Sequence, residues 1–328
     1  MNYFLGFDIG GTKCSVVLGN DHGSLLEHRS FATDHNSGPD AVIRQLCETA
    51  SGLSSALQSS RGQKPVAIGM SCGGPLDSRS GIIYSPPNLP GWDAVPIVKI
   101  VGSELGVPTA LQNDANACAL AEWRYGAGRG YRNMVFLTFG TGMGAGLILD
   151  GRLYTGTNDM AGEIGHVRME DSGPLGYGKK GSFEGFCSGA GIARLARSRV
   201  QTEWAQGRRV AFCANEAQLE ALTTREVGEA ALAGDPTAVE IIETSAEYLG
   251  RGLAIIVDLL NPECIVLGSI FVRLEALLRP RMEAVLQSEC LEQAGRVCRI
   301  LPAALGEEVG LMAALSVAEK AYMEAGNE

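Results

Sequence analysis

Two glycine turns, each set between apolar β-prone runs, restrict this chain more than any other feature. The first lies in Tyr3 to Lys13 (YFLGFDIGGTK) and is followed at once by Cys14 to Leu18 (CSVVL). It reads as a tight hairpin with Asp8 at the end of its first strand. Gly10 and Gly11 lack Cβ atoms, so main-chain N–H groups can approach an anion, while Thr12 adds a hydroxyl donor and Lys13 a charge. A phosphate fits such a turn, and the Asp8 carboxylate beside it suits Mg²⁺, a hard cation that prefers oxygen ligands. The second turn lies in Met134 to Phe139 (MVFLTF), Gly140 to Gly146 (GTGMGAG) and Leu147 to Gly151 (LILDG). A dinucleotide fingerprint would open a helix after its glycines, whereas here a second strand follows. The GxxxxGK[ST] spacing of a P-loop is absent from both turns. Two strand, glycine-turn, strand units in one chain imply a duplicated architecture that grips the phosphates of one nucleotide from both sides.

The rest of the composition removes several classes. A chain of 328 residues, 45% hydrophobic and 20% charged, can bury two sizeable cores. Its formal net charge of −10 argues against a nucleic-acid surface, which needs clustered Lys and Arg; Lys179-Lys180 is the lone adjacent lysine pair. The 9 cysteines are an odd number, widely spaced, and several sit in apolar runs, so they read as buried hydrophobes in a reducing compartment. No basic leader and no apolar run approaching a membrane span is visible, and the expected location is the cytoplasm.

Taken in order, a third antiparallel strand is expected over 23–31 and a helix over 40–57, where Val42, Ile43, Leu46, Leu53 and Leu57 recur at near-helical spacing. Pro65 to Ser71 reads as a buried strand running into a turn at Gly74, at the strand end where open α/β sheets bind ligands. A short strand at 81–85 leads to the proline-stiffened loop 86–92, whose polar side chain is Asn88; an Asx turn and a ligand contact both remain open for it. After a helix at 95–105 and a strand at 108–112 comes Asn113-Asp114, opening an Ala-rich helix. Asp114 reads either as the helix N-cap or as a general base at a strand's carboxyl end. Helices follow at about 189–206, 224–233, 236–260, 271–287 and 307–325, with strands at 264–268 and 296–302. Residues 208–222, mixed in charge and weakly periodic, read as a surface insertion.

Together, Asp8 to Lys13, Gln112 to Asn116 (QNDAN), Phe139 to Gly146, Glu163 to His166 (EIGH), Asn261 to Gly268 (NPECIVLG) and Gly306 to Gly310 (GEEVG) resemble the ROK family of repressors, open reading frames and kinases. The motifs stand in the family's order over essentially the whole chain. The resemblance implies an α/β fold of the two-domain actin-like ATPase (ribonuclease H-like) type with an interdomain cleft. Residues 1–115 with about 306–328 would form the small domain, and 116–305 the larger one. It further implies that Asp8, Gly10, Gly11, Thr12 and Lys13, with Gly140, Thr141 and Gly142, hold the ATP phosphates and Mg²⁺, and that Gly268 admits the adenosine. Gly74, Asn88, Asn113, Glu163, His166 and Glu184 would bind sugar hydroxyls, and Asp114 would be the base.

Family members usually carry a structural zinc held by the histidine of Glu-x-x-His and three cysteines. Here Leu175, Tyr177 and Ser182 stand where those thiolates would be, so no structural zinc site is expected, and other packing must order the loop. His166 without the resemblance is an ordinary loop histidine. The family's repressors place a DNA-binding domain ahead of the first hairpin, and with seven residues before Asp8 such a domain is not expected. The resemblance thus implies an ATP-dependent hexose kinase acting on a primary hydroxyl, with glucose first among acceptors. Another hexose (fructose, mannose, N-acetylmannosamine) or a non-catalytic sugar-binding protein is the alternative. A homodimer is compatible with it.

Overall fold

The structure, a computed structural model, describes residues 1–326. The last two positions of the 306–328 segment lie outside it. The chain begins with β1 (Tyr3–Ile9), β2 (Lys13–Asn20) and β3 (Leu25–Ala32), an antiparallel meander, then α1 (Gly38–Arg61). That helix starts at Gly38-Pro39 and ends where Gly62 turns left-handed at φ 69°. Strand β4 (Ala67–Cys72) is buried throughout. The small hairpin β5 (Leu76–Asp77) and β6 (Ile82–Ile83), α2 (Ile97–Leu105) and β7 (Thr109–Asn113) follow. Next come α3 (Asp114–Tyr125), β8 (Met134–Phe139), β9 (Met143–Leu149) and β10 (Arg152–Tyr154). A short hairpin, β11 (Leu175–Gly176) and β12 (Lys179–Lys180), precedes α4 (Phe183–Cys187) and α5 (Gly189–Ala205). Then α6 (Glu216–Ala221), α7 (Thr224–Leu232), α8 (Pro236–Leu260), β13 (Cys264–Leu267), α9 (Ile270–Glu289), α10 (Glu292–Gly295), β14 (Arg299–Pro302) and α11 (Val309–Ala325) complete it.

The duplication implied by the two glycine turns is present in the topology. One sheet has the order β3-β2-β1-β4-β7 and the other β10-β9-β8-β13-β14. In each, three antiparallel strands are extended by two parallel ones. Alternate strand residues fill a core beneath each sheet, Phe7 and Met70 in one and Leu137 and Phe139 in the other.

A third core lies between the sheets and is built on α3 and α11. It joins Phe4 and Val17 of the first sheet to Phe136, Ile148 and Val266 of the second. Helix α11, which follows β14 of the second sheet, packs on β1 and β4 of the first. Its Ala313, Ala314 and Ala318 allow this close approach, and a Cβ at Gly69 would stand 2.2 Å from the Ala314 carbonyl oxygen. The fully buried Glu122 of α3 binds the chain on either side of the crossing: its carboxylate accepts from the backbone N–H of Ala127 at 2.8 Å and from Ala304 and Leu305 at 3.0 Å. Each buried acceptor thus has a donor.

Segment 208–222, read as a surface insertion, is exposed over most of its length but anchored at four points. Val210, Cys213, Leu219 and Leu222 are buried in the second core, and Arg197 donates to the carbonyls of Leu219, Glu220 and Leu222. The apolar residues have no helical period because α6 covers only 216–221; long-range carbonyl contacts hold the rest.

Candidate active site

Asp8 lies next to last on β1, where β2 and β4 flank it through Ser15 and Ser71. The turn beyond it closes through Gly10 N–H to the Lys13 carbonyl at 3.1 Å. Thr33 braces it, its hydroxyl donating to the Gly10 carbonyl at 2.6 Å and its N–H to that of Thr12 at 3.0 Å. Burial raises the Asp8 pKa above the usual carboxylate value; Lys13 opposes the shift and Asp114 adds to it. The two carboxylates therefore share one electrostatic neighbourhood.

Asp114 is not the N-cap of its helix. Asn113 takes that position with extended backbone, and its side-chain oxygen accepts from Ala115 N–H at 2.9 Å. Asp114 follows as the first helical residue, with one carboxylate oxygen accepting from Ala115 N–H at 2.8 Å. The other has no hydrogen-bond partner among the described residues. Solvent reaches this side chain, while the protein around it strips enough hydration to raise its pKa above the ordinary 3.8. The Asn113 side chain keeps its NH₂ as a donor; the position a Cβ would take on Gly74 is 3.3 Å from that nitrogen. Asn88 lies over the neighbouring Gly73, whose Cβ position is 3.5 Å from its Oδ1, and Gly11 abuts its backbone.

The second glycine turn meets the same region from the other sheet. The first turn of α3 touches β9, with the Gly144 Cβ position 3.7 Å from Ala115 Cβ. Gly140 and Thr141 carbonyls accept from Gly189 and Ala190 at the start of α5, at 2.7 and 3.3 Å. Beyond this turn opens a cavity of about 940 Å³, lined by Gly140, Thr141, Arg194, Leu222, Ser269 and Ile270 among others. Gly268 stands at its rim and is not in the wall. Its successor Ser269 adopts φ 48°, ψ −103°, in a turn closed by Phe271 N–H to the Gly268 carbonyl at 3.2 Å. Such strain in a non-glycine residue concentrates at binding sites.

Glu163, His166 and Glu184 complete the cluster. Burial raises the Glu163 pKa; His166 lowers it, while Asp114 and Glu184 raise it further, so all four groups face one another electrostatically. Glu184 also accepts from Met143 N–H at 3.1 Å, joining the second turn to this loop. The loop is ordered by hydrogen bonds. Lys179 Nζ donates to the His166 carbonyl at 2.7 Å, Arg168 to the Lys180 carbonyl at 2.9 Å, and Arg194 to the Leu175 carbonyl at 2.6 Å. Ser182 is fully buried and caps α4, accepting from Gly185 N–H at 3.1 Å. Tyr177 lies edge-on to the His166 ring, with centroids 6.2 Å apart. Among the described residues no group of three His, Cys, Asp or Glu side chains could hold a metal by itself.

The residues fit a magnesium nucleotide. Space before Gly140 is free, the nearest atom to a Cβ there being Ser269 Oγ at 3.9 Å, and the cavity continues from it. Asp8, with its turn at the end of the first sheet's β1, supplies a hard oxygen donor. The cavity wall from Arg194, Leu222, Thr224 and Arg225 carried no sequence signal; Ser269 could have been inferred from its place after the strand-ending Gly268.

Two sheets of like topology, each ending in a glycine turn beside shared carboxylates, define the two-domain actin-like ATPase fold. A sequence model of the ROK family matches residues 4–321, and the chain belongs to that family. It is 31% identical over 333 residues to a glucokinase of Halalkalibacterium halodurans, covering 99% of this chain and 98% of that protein. An N-acetylmannosamine kinase of Citrobacter koseri is 30% identical, with coverage of 80% and 82%. The crystal structure of a ROK family glucokinase from Streptomyces griseus in complex with glucose and AMPPNP superposes with a TM-score of 0.76 at 27% identity, covering 97% of this chain and 100% of that one.

Proposed function

We propose that this protein, an ATP-dependent sugar kinase, phosphorylates a hexose hydroxyl, with glucose the first candidate and Asp114 as general base. The observation that carries this reading is the convergence of Asp8, Asp114, Glu163 and Glu184 between the two glycine turns. A sugar hydroxyl placed against the free oxygen of Asp114 would lose its proton there as its oxygen bonds to the γ-phosphorus. The bond from that phosphorus to the β–γ bridging oxygen breaks, and ADP leaves. A raised carboxylate pKa suits this task, because a stronger base accepts the proton more readily.

Glu163, His166, Glu184, the Asn113 amide, Asn88 and the Gly74 turn would orient the sugar, their mixed donors and acceptors matching hydroxyls. The turns at Gly10, Gly11, Thr12 and Lys13 and at Gly140, Thr141 and Gly142 would hold the triphosphate, with Gly268 and the cavity beyond taking the adenosine. Asp8 would hold Mg²⁺, which when bound offsets charge on the phosphate oxygens. Residues 1–115 with 306–328 would close on 116–305, excluding water as a competing acceptor. Cytoplasmic location and a homodimer accompany the reading. No helix among the described residues is long and apolar enough to cross a membrane.

A second reading, N-acetylmannosamine as acceptor, is supported by the similarity to the Citrobacter koseri kinase. A coupled ADP-release assay with Mg-ATP against hexoses and N-acetylhexosamines separates the two. Turnover on glucose without N-acetylmannosamine supports the first. The reverse pattern replaces it, and silence on every sugar refutes both.

A further inference from the structure

The hairpin between His166 and Glu184 lacks the thiolates that hold a metal; two arginines, Arg168 and Arg194, grip its carbonyls instead, and its own Lys179 reaches the His166 carbonyl. One of them, Arg194, belongs to α5, the helix that also borders the cavity. The first residues of α5 donate to the Gly140 and Thr141 carbonyls, and Arg194 lies one turn further along. It lines the cavity and at the same time donates to the Leu175 carbonyl at 2.6 Å, at the start of the hairpin. At the hairpin's other strand Lys179 donates to the His166 carbonyl at 2.7 Å. The first strand of the hairpin is tightly seated, since a Cβ at Gly176 would be 2.6 Å from the Gly185 nitrogen, adjoining Glu184, while the tip at Tyr177 and Gly178 is exposed. A continuous set of contacts therefore runs from the cavity wall to the backbone of both sugar-facing residues.

We propose that Arg194 is a positioning residue that couples nucleotide occupancy of the cavity to ordering of the sugar loop. The inference rests on the kinase reading of the site and names its regulation. Arg194 and Leu175 are exposed, so in the empty site water competes for their hydrogen bond. An adenosine in the cavity restricts the guanidinium to conformers that keep that bond, which fixes the hairpin and, through Lys179, His166. Sugar on His166 and Glu184 restrains the same hairpin from the other end. Each ligand thus meets a lower ordering cost when the other is present, and by linkage the effect is reciprocal.

The test is calorimetric titration of the sugar that supports turnover into the full chain, with and without saturating Mg-AMPPNP. The native protein is expected to bind sugar at least about fivefold more tightly with the nucleotide analogue present, within the usual span of such couplings. Arg194→Met, which keeps the stem and removes the donor, should bring that ratio to within about twofold of unity. Lys179→Met lies outside the cavity wall, so it should leave AMPPNP affinity without sugar unchanged yet reduce the ratio as far. It also serves as the test if Arg194→Met fails to fold. Arg194→Lys, which keeps a donor, should recover part of the ratio. A native ratio of one, or a ratio untouched by either methionine variant, overturns the coupling while leaving the kinase reading intact. Absence of any sugar and nucleotide binding by the native chain refutes the kinase reading and the coupling with it.

Discussion

The two glycine turns occupy equivalent places in equivalent sheets, yet the protein treats them differently. The first is packed. A Cβ on Gly11 would stand 2.4 Å from the Asn88 carbonyl oxygen, Thr33 bonds the turn from just beyond β3, and the Gly310 Cβ position is 2.8 Å from Asp8. The second is open, with a Cβ on Gly140 meeting nothing closer than 3.9 Å and a large cavity beside it. Duplication supplied two copies of one backbone device, and the surroundings divided the work. The packed copy holds Asp8 at a raised pKa beside Asp114 of α3; the open copy borders a cavity.

The largest effect should come from the packed side. Asp114→Asn keeps an oxygen that can accept from Ala115 N–H, so sugar and ATP should still bind while turnover falls about 10²- to 10⁴-fold, the usual worth of a general base. Native activity should fall as pH drops through a pKa above 3.8, because protonation disables the base, and the variant's residual rate should lack that acid limb. The sign for stability is opposite. A carboxylate whose folded pKa is raised favours the fold below its unfolded pKa and loses that contribution as pH rises through the folded one. At neutral pH the neutral asparagine should therefore melt no lower than the native chain. A variant that turns over normally would remove chemistry from this side of the comparison.

Gly11→Ala should cost about 1–3 kcal/mol of stability, because its methyl must displace backbone at Asn88. A shift in denaturant midpoint measures it. Gly140→Ala is the contrast. It should leave the midpoint nearly unchanged and raise the KM for ATP about tenfold with kcat preserved, as loss of uniform binding does. If the two alanines destabilise alike, the distinction between packed and open turns is wrong.

The same division explains what could be read from the sequence. Both turns were legible because strand alternation and paired glycines are local signals, and the bounds 236–260 of α8 stand where Asp235, Pro236 and Pro262 mark them. The family resemblance supplied which carboxylates meet. Which of Asn113 and Asp114 caps the helix was not separable, since both types cap helices and the choice rests on a backbone angle at one residue. The cavity wall was invisible for a different reason. Leu222 reaches it because Arg197 grips carbonyls 22 to 25 residues away, and a carbonyl carries no sequence signature. Likewise nothing in Lys179-Lys180 announces that one ammonium will hold the His166 backbone.

The smallest effect should be metal removal from the loop joining the two turns. Glu184 ties this loop to the open turn through Met143, so an unsuspected metal there would make the open side depend on it. The loop's order is accounted for without one. Three cationic donors reach main-chain carbonyls; all three bonds are exposed, so each contributes less than the about 1.5–3 kcal/mol of a shielded charge-assisted bond. Ser182, buried at one of the positions where a thiolate would stand, is used as a helix cap. A chelator selective for zinc over magnesium should therefore leave both the KM for sugar and the melting temperature unchanged within error. Raising ionic strength should loosen the exposed cationic bonds and raise the sugar KM modestly. A melting temperature that drops with chelator and recovers with added zinc would mean that the loop is stapled by metal after all, and that the open turn borrows its rigidity from it.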